Sequence, residues 1–203
     1  MTSKLIVNSI RHTGASADAI TLDSSGNVTF PANATCSGTA TGFGGGIVMA
    51  EIWRLTSTIT NDGNENVITA NLSKPSTPSG AGKLGSETMT ESSGVFTFPS
   101  TGIYYIIASS MHYALGSGTE GNGNGIYINT TTDNSSYSRA SFGAQAVPTT
   151  YDYGSANCHY IFDVTNVSTH KVRFSHSGTS GSKVAGNAND NQTHFFFMKL
   201  GDT

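Results

Sequence analysis

The stretch IYYIIASSMHY, residues 103–113, constrains this chain more than any other. Side chains on a β-strand alternate between two faces. One row would hold Ile103, Tyr105, Ile107, Ser109, Met111 and Tyr113, and the other Tyr104, Ile106, Ala108, Ser110 and His112. Neither row is a solvent face, whereas an antiparallel sheet normally keeps one side for water. THFFFMKL, residues 193–200, repeats the pattern, with Phe195, Phe197 and Lys199 in one row and Phe196, Met198 and Leu200 in the other. Side by side, two such strands make a sheet that is apolar inside and outside. Buried aromatics cover roughly 150–250 Å² each, and monomers rarely expose patches built from several of them. Subunit association is the economical solution, with Tyr104, Ile106, Phe195 and Phe197 as candidates for the interface or the core.

The rest of the sequence reads as all-β. Charged residues make up 11%, against about 25% in ordinary domains. Gly, Ser, Thr and Asn fill the gap, and no window has helical periodicity. Strands are expected at 47–56, 66–72, 93–98, 103–115, 124–130, 138–146, 157–165, 170–176 and 193–200, a rhythm that fits a two-sheet sandwich or jelly roll. The Gly-rich stretches KPSTPSGAGKLGSE, GSGTEGNGNG and GTSGSKVAGNANDNQ read as loops. HKVRFSHSG alternates cleanly, and Lys171 and Arg173 fall on what reads as its solvated face.

Residues 1–46 form a segment distinct from 47–203. ITLDSSGNVTF predicts a short hairpin, and Gly44, Gly45 and Gly46 a hinge. The segment has too few large apolar side chains to fold alone. It is expected to need identical copies beside it or a surface to dock on, as a stalk would.

Net charge is −3, which argues against nucleic acid or an anionic membrane as partner. No apolar run is long enough to insert into a membrane as a helix. Without a signal-peptide core, the expected site of assembly is a cytosol. Cys36 and Cys158 read as free thiols in that compartment, with a disulfide between them as the alternative. No nucleophile elbow, zinc-protease helix or phosphate loop is present, so no catalytic residue, cofactor or metal site is assigned. NDGNEN and NANDNQ are oxygen-rich but lack a full calcium pattern, and read as turns. The six histidines, His12, His112, His159, His170, His176 and His194, show no compact ligand spacing. Only a threefold axis, gathering copies of His112 or His194, would make a metal site; core or interface histidines are the simpler reading.

Gly94, Phe96, Pro99, Gly102 and Tyr104 resemble the motif that leads into the long buried strand of complement globular-head domains. HFFFMKL resembles the closing strand of those domains, although Phe197 and Met198 stand where their glycine would be. AEIWRL sits where their first strand would be. The resemblance implies the jelly roll shared with tumour necrosis factor, assembled as a compact homotrimer, with the opening, central and closing strands nearest the axis. Residues 1–46 resemble the N-terminal segments of fibre-like virion proteins of tailed bacteriophages. Together these imply a non-enzymatic virion protein assembled in a host cytoplasm. It would be a trimeric tail-fibre or knob protein bound to other virion proteins through residues 1–46. A capsid head-fibre or decoration protein is the alternative, and a polysaccharide-cleaving tail protein a further one. A knob would meet a host surface glycan or protein through its polar loops, with Tyr137, Tyr151 and Tyr153 as candidate contacts.

Overall fold

The computed structural model describes residues 7–30, 47–76, 82–150 and 152–203. The chain forms two compact units, Met1–Gly45 and Gly46–Thr203. Cys36 and Tyr151 lie outside the described residues, as does the glycine hinge, Gly44 to Gly46.

The first unit holds a three-stranded antiparallel sheet of β1 (Ser9–Ile10), β2 (Ile20–Leu22) and β3 (Val28–Thr29). β2 and β3 form the hairpin expected from ITLDSSGNVTF. Asp23 closes its turn: Oδ1 accepts from the amides of Ser25 and Asn27 at 2.9 Å, and Oδ2 from the Asn27 side chain at 2.8 Å. Ile10, Leu22, Val28 and Phe30 all remain exposed. Among its described residues this unit therefore has no core of its own.

The second unit is a two-sheet sandwich. Its strands are β4 (Ala50–Leu55), β5 (Ser57–Thr60), β6 (Asn66–Val67), β7 (Leu72–Ser73), β8 (Lys83–Leu84), β9 (Thr90–Ser92), β10 (Val95–Thr97), β11 (Gly102–Tyr113), β12 (Gly121–Thr131), β13 (Ser138–Val147), β14 (Tyr153–Val164), β15 (Lys171–Ser177), β16 (Lys183–Asn187) and β17 (His194–Gly201). The smaller sheet runs β13-β12-β15-β10-β9, with β6 also on β15. In the larger sheet β11 is central. β14 pairs along its whole length, from Gly102↔Val164 to Tyr113↔Tyr153. On the other edge β17 takes Ile103 to Ser109, and β16 takes His112 and Tyr113. β17 then pairs with β4, so the opening, closing and central strands are neighbours.

Aromatic rings fill the space between the sheets. Phe96 of β10 and Phe174 of β15 meet Phe195 and Phe197 of β17, with the Phe174–Phe195 pair stacked at 3.9 Å. Trp53 packs edge-on against Phe96 at 5.3 Å. The strand AEIWRL also turns Glu51 inward, where its carboxylate accepts from Trp53 Nε1 at 2.7 Å, the Met89 amide at 2.9 Å and Thr88 Oγ1 at 2.6 Å. Lys74 Nζ completes the set at 3.6 Å. A buried carboxylate is tolerated because its lone pairs are satisfied.

The motif residues Gly94 and Gly102 have backbone reasons. Ser93 and Gly94 are the two loop residues of the β9–β10 hairpin, both at positive φ (52° and 84°), the geometry of a type I′ turn. A Cβ on Gly94 would lie 2.3 Å from the Ile68 carbonyl oxygen. Gly94→Ala is therefore expected to cost about 2–3 kcal/mol, read as a lower urea midpoint. Gly102 (φ 146°) lets β11 start against β17, since a Cβ there would meet Lys199 Cε at 2.4 Å.

Four expectations are corrected. The stretch 66–72 is not one strand: Asn71, at φ 59°, separates β6 in the smaller sheet from β7 in the larger. β12 begins at Gly121, inside the expected loop GSGTEGNGNG. The expected loop GTSGSKVAGNANDNQ contains β16, which pairs with β5 and β11 and buries Val184 and Ala185. Nor is the Lys171 face simply solvated: Lys171 is 8% exposed, its Nζ donating to Thr97 Oγ1 and the Val167 carbonyl.

Candidate functional site

The larger sheet decides what happened to the two apolar rows. Tyr104, Ile106, Phe195 and Phe197 all lie in the core of the single chain at 0% exposed. They cannot also form a contact surface between subunits. Their neighbours in sequence do face outward. On β11 these are Ile103, Tyr105, Ile107, Met111 and Tyr113, all half-buried; on β17 they are Phe196 and Met198, half-buried, and Leu200, exposed.

Strand register assembles them into transverse rows. Ile161 of β14 stands opposite Tyr105, Tyr105 opposite Met198, Met198 opposite Ala50 and Ala50 opposite Leu84. The next row runs His159, Ile107, Phe196 and Ile52. Ile161 and Leu84 are 58% and 49% exposed. Ala50, Ile52, Gly82, Lys83, Leu84 and Phe196 line a hollow of about 260 Å³ at the β4 end. Directly opposed side chains lie about 4.5–5.5 Å apart at Cβ, so the rows form one continuous apolar band. Charged residues on the same face border the two rows: Asp163 stands opposite Ile103, Arg54 opposite His194 and Lys183 opposite Tyr113. His159 lies at the β14 edge, 6.0 Å from the Tyr105 ring.

The polarity of the two β11 rows is the reverse of a simple sandwich. The inward row ends in Ser110 and His112, both 0% exposed, while the outward row holds Ile103, Tyr105, Ile107, Met111 and Tyr113. The inward polar groups lie among other buried polar side chains, with His112 Nδ1 left without a hydrogen-bond partner among the described residues. Ser110 Oγ and His112 Nε2 are 2.8 Å apart. His176 Nδ1 bonds Asn61 Oδ1 at 2.6 Å, Asn61 Nδ2 donates to Ser182 Oγ at 2.8 Å, and Ser182 Oγ in turn donates to Asn124 Oδ1 at 3.0 Å. His112 therefore cannot stand on an axis between copies.

Burial, with the neighbouring His176, pushes the His112 pKa down to about 4. Burial also lowers those of His176 and His194. The folded state thus resists protonation that the unfolded chain accepts near pH 6.5. This stabilisation is full above pH 6.5 and is lost as pH falls from 6.5 toward 4. His112 alone is expected to cost about 3 kcal/mol across that window, measured as a falling urea midpoint. His112→Gln should flatten the slope.

The other sequence candidates scatter. Tyr153 is 64% exposed and rests beside Tyr113 at 5.3 Å, at the end of the apolar band rather than on a loop tip. Tyr137 lies on the other sheet, with the Arg173 guanidinium 4.1 Å above its ring. Tyr151 is outside the described residues. Cys158 is a buried free thiol whose pKa is pushed up to about 11, mainly by burial. Among the described residues no group of three His, Cys, Asp or Glu side chains could hold a metal ion. In NDGNEN, Asp62 Oδ1 accepts from the Asn64 amide at 2.9 Å and the Asn66 side chain at 2.8 Å, which is turn chemistry.

No protein-family profile matches this sequence, and no curated protein matches it. Solved structures do match in shape. Murine APRIL at pH 8.0 is 10% identical, with a TM-score of 0.52, over 75% of this chain and 98% of that one. Eiger TNF from S. frugiperda is 11% identical, with a TM-score of 0.53, over 76% of this chain and 93% of that one. At such identity the likeness is one of fold: the chain is an all-β, antiparallel sandwich of the jelly-roll kind that APRIL and Eiger TNF share.

Proposed function

We propose that this chain is a non-enzymatic homotrimer whose jelly-roll heads meet through the outward face of the larger sheet. The inverted polarity of β11 carries this reading. A sandwich that spends Ser110 and His112 inside and turns Ile103, Tyr105 and Ile107 outward has a second surface to cover. Each half-buried Ile, Phe, Met or Tyr there has roughly 1 kcal/mol of transfer free energy still to gain. Six to eight such side chains per chain offer about 6–8 kcal/mol of gross driving force for association. Three-fold rather than two-fold closure is what the resemblance of residues 94–104 to complement globular heads implies. The shared jelly roll is compatible with it.

The biological setting proposed is a virion, with the head as the knob of a tail fibre that touches the host surface. The resemblance of ITLDSSGNVTF and its flanks to phage fibre segments supports this. So does a first unit in which Ile10, Leu22, Val28 and Phe30 are exposed. Antibody to residues 47–203, imaged on whole particles, is expected to decorate the tail; label on the capsid shell would replace the knob with a decoration protein. Release of reducing sugar from host polysaccharide would end the non-enzymatic reading.

A further inference from the structure

Ten Lys and Arg are present in the whole chain, and three of them share the outward face of the smaller sheet. Arg139 and Arg173 flank Asn129, and Lys171 stands opposite Thr131 on one side and Thr97 on the other. Arg139 is compensated: it pairs with Glu65, and its guanidinium lies 4.4 Å over the Tyr127 ring. Lys171 and Arg173 are not. Among the described residues no Asp or Glu forms an ion pair with either. The Lys171 acceptors, Thr97 Oγ1 at 3.1 Å and the Val167 carbonyl at 2.6 Å, are neutral. Arg173 Nε is shielded from solvent and has no hydrogen-bond acceptor. The two cations are two residues apart on one strand, about 7 Å between Cα atoms.

The chemistry of this arrangement is selective. A guanidinium stacked on an aromatic ring is held in plane, and its N–H edge is left to grip an oxyanion with two parallel bonds. Lys171 adds a point charge beside it. Asp133, which acts electrostatically on Tyr137, accepts through Oδ1 from Thr131 Oγ1 at 2.7 Å and from the amides of Ser135 and Ser136 at 2.8 Å within its own turn, and it forms no ion pair with Arg173 or Lys171. Two cations in a chain of net charge −3 are too few for a nucleic-acid backbone. One isolated carboxylate or sulfate beside an aromatic wall is the better match, and acidic saccharides present that combination.

We propose that Arg173, Lys171 and Tyr137 form a binding site for the acidic group, carboxylate or sulfate, of a surface polysaccharide. For its ligand class the site rests on the surface-binding role proposed above; its residues all belong to one chain, so it does not need the trimer. The test is calorimetric titration of the full chain with hyaluronan hexasaccharide, with dextran sulfate and with uncharged dextran. The two acidic probes distinguish carboxylate from sulfate. Binding is expected to at least one of them and not to uncharged dextran, and to weaken as NaCl is raised. Arg173→Gln should weaken it at least about tenfold, Arg173→Lys should recover only part, and Lys183→Gln, on the other sheet, should bind as the parent does. Where Arg173→Gln fails to fold, Tyr137→Ala gives the same readout. Equal binding by Arg173→Gln, equal binding of uncharged dextran, or no binding of either acidic probe overturns the site. A trimer that binds neither acidic probe loses the site alone, while a monomer that binds one loses the assembly alone.

Discussion

Phe197→Asp is expected to abolish folding. Phe197 is 0% exposed, with Phe96 at 5.3 Å, Phe174 at 5.9 Å and Phe98 at 6.5 Å between ring centroids. Its neighbours in the sheet are Ile106 and Glu51. Removing the ring costs about 3–5 kcal/mol through lost transfer and a cavity. Placing a carboxylate beside the buried Glu51 adds desolvation and like-charge repulsion, at least several kcal/mol more. The sum matches the roughly 5–15 kcal/mol that hold a whole domain. Circular dichroism should show no sandwich at any subunit concentration. Phe197→Leu, which keeps most of the volume, should fold with a loss of about 1–2 kcal/mol. A folded Phe197→Asp protein would place this residue outside the core.

Phe196→Asp, one position earlier, is expected to fold and to come apart into single chains. Phe196 points to the opposite face, between Ile107 and Ile52, beside the 260 Å³ hollow. In a monomer its carboxylate reaches water, so the loss should stay at about 1–2 kcal/mol, from the half-buried ring and the lower strand preference of Asp. Between copies the same charge would be buried without a partner, which costs several kcal/mol at each of three equivalent contacts. Light scattering should report one chain where the parent gives three, with an unchanged β spectrum. Two neighbouring substitutions with opposite outcomes, one on folding and one on assembly, define which face does which work.

The strand rhythm was readable because alternation and Gly-rich breaks are local. So was the anomaly of β11 and β17: both rows are apolar, and the structure buries one fully and the other by half. Which row is which was not readable. Judged by hydrophobicity, Ile103, Tyr105, Ile107 and Met111 should be inside, and Ser110 with His112 outside. The structure inverts this, and residues far apart in sequence partner much of the polar end, although His112 Nδ1 stays buried without an acceptor or donor among the described residues. Ser110 reaches the Ala156 carbonyl, and across the sandwich His176 reaches Asn61. Of the two roles open to Tyr104, Ile106, Phe195 and Phe197, interface or core, the structure gives them the core, and the proposed interface uses their outward neighbours such as Tyr105 and Phe196. β16 was hidden because its five residues, KVAGN, carry only one large apolar side chain. The pairing of Arg173 with Tyr137 had no sequence signal, since the two meet only when the loop before β13 folds over β15. Glu51 did leave a trace: a carboxylate two positions before Trp53 in AEIWRL shares that residue's buried face.

Sedimentation equilibrium of the unmodified chain, over a wide concentration range, tests the account at its centre. It predicts a mass of three 21.1 kDa chains that persists on dilution, with the β11–β17 outward face protected from solvent. A 21.1 kDa particle at every concentration, with Tyr105, Ile107 and Phe196 open to solvent, would contradict it.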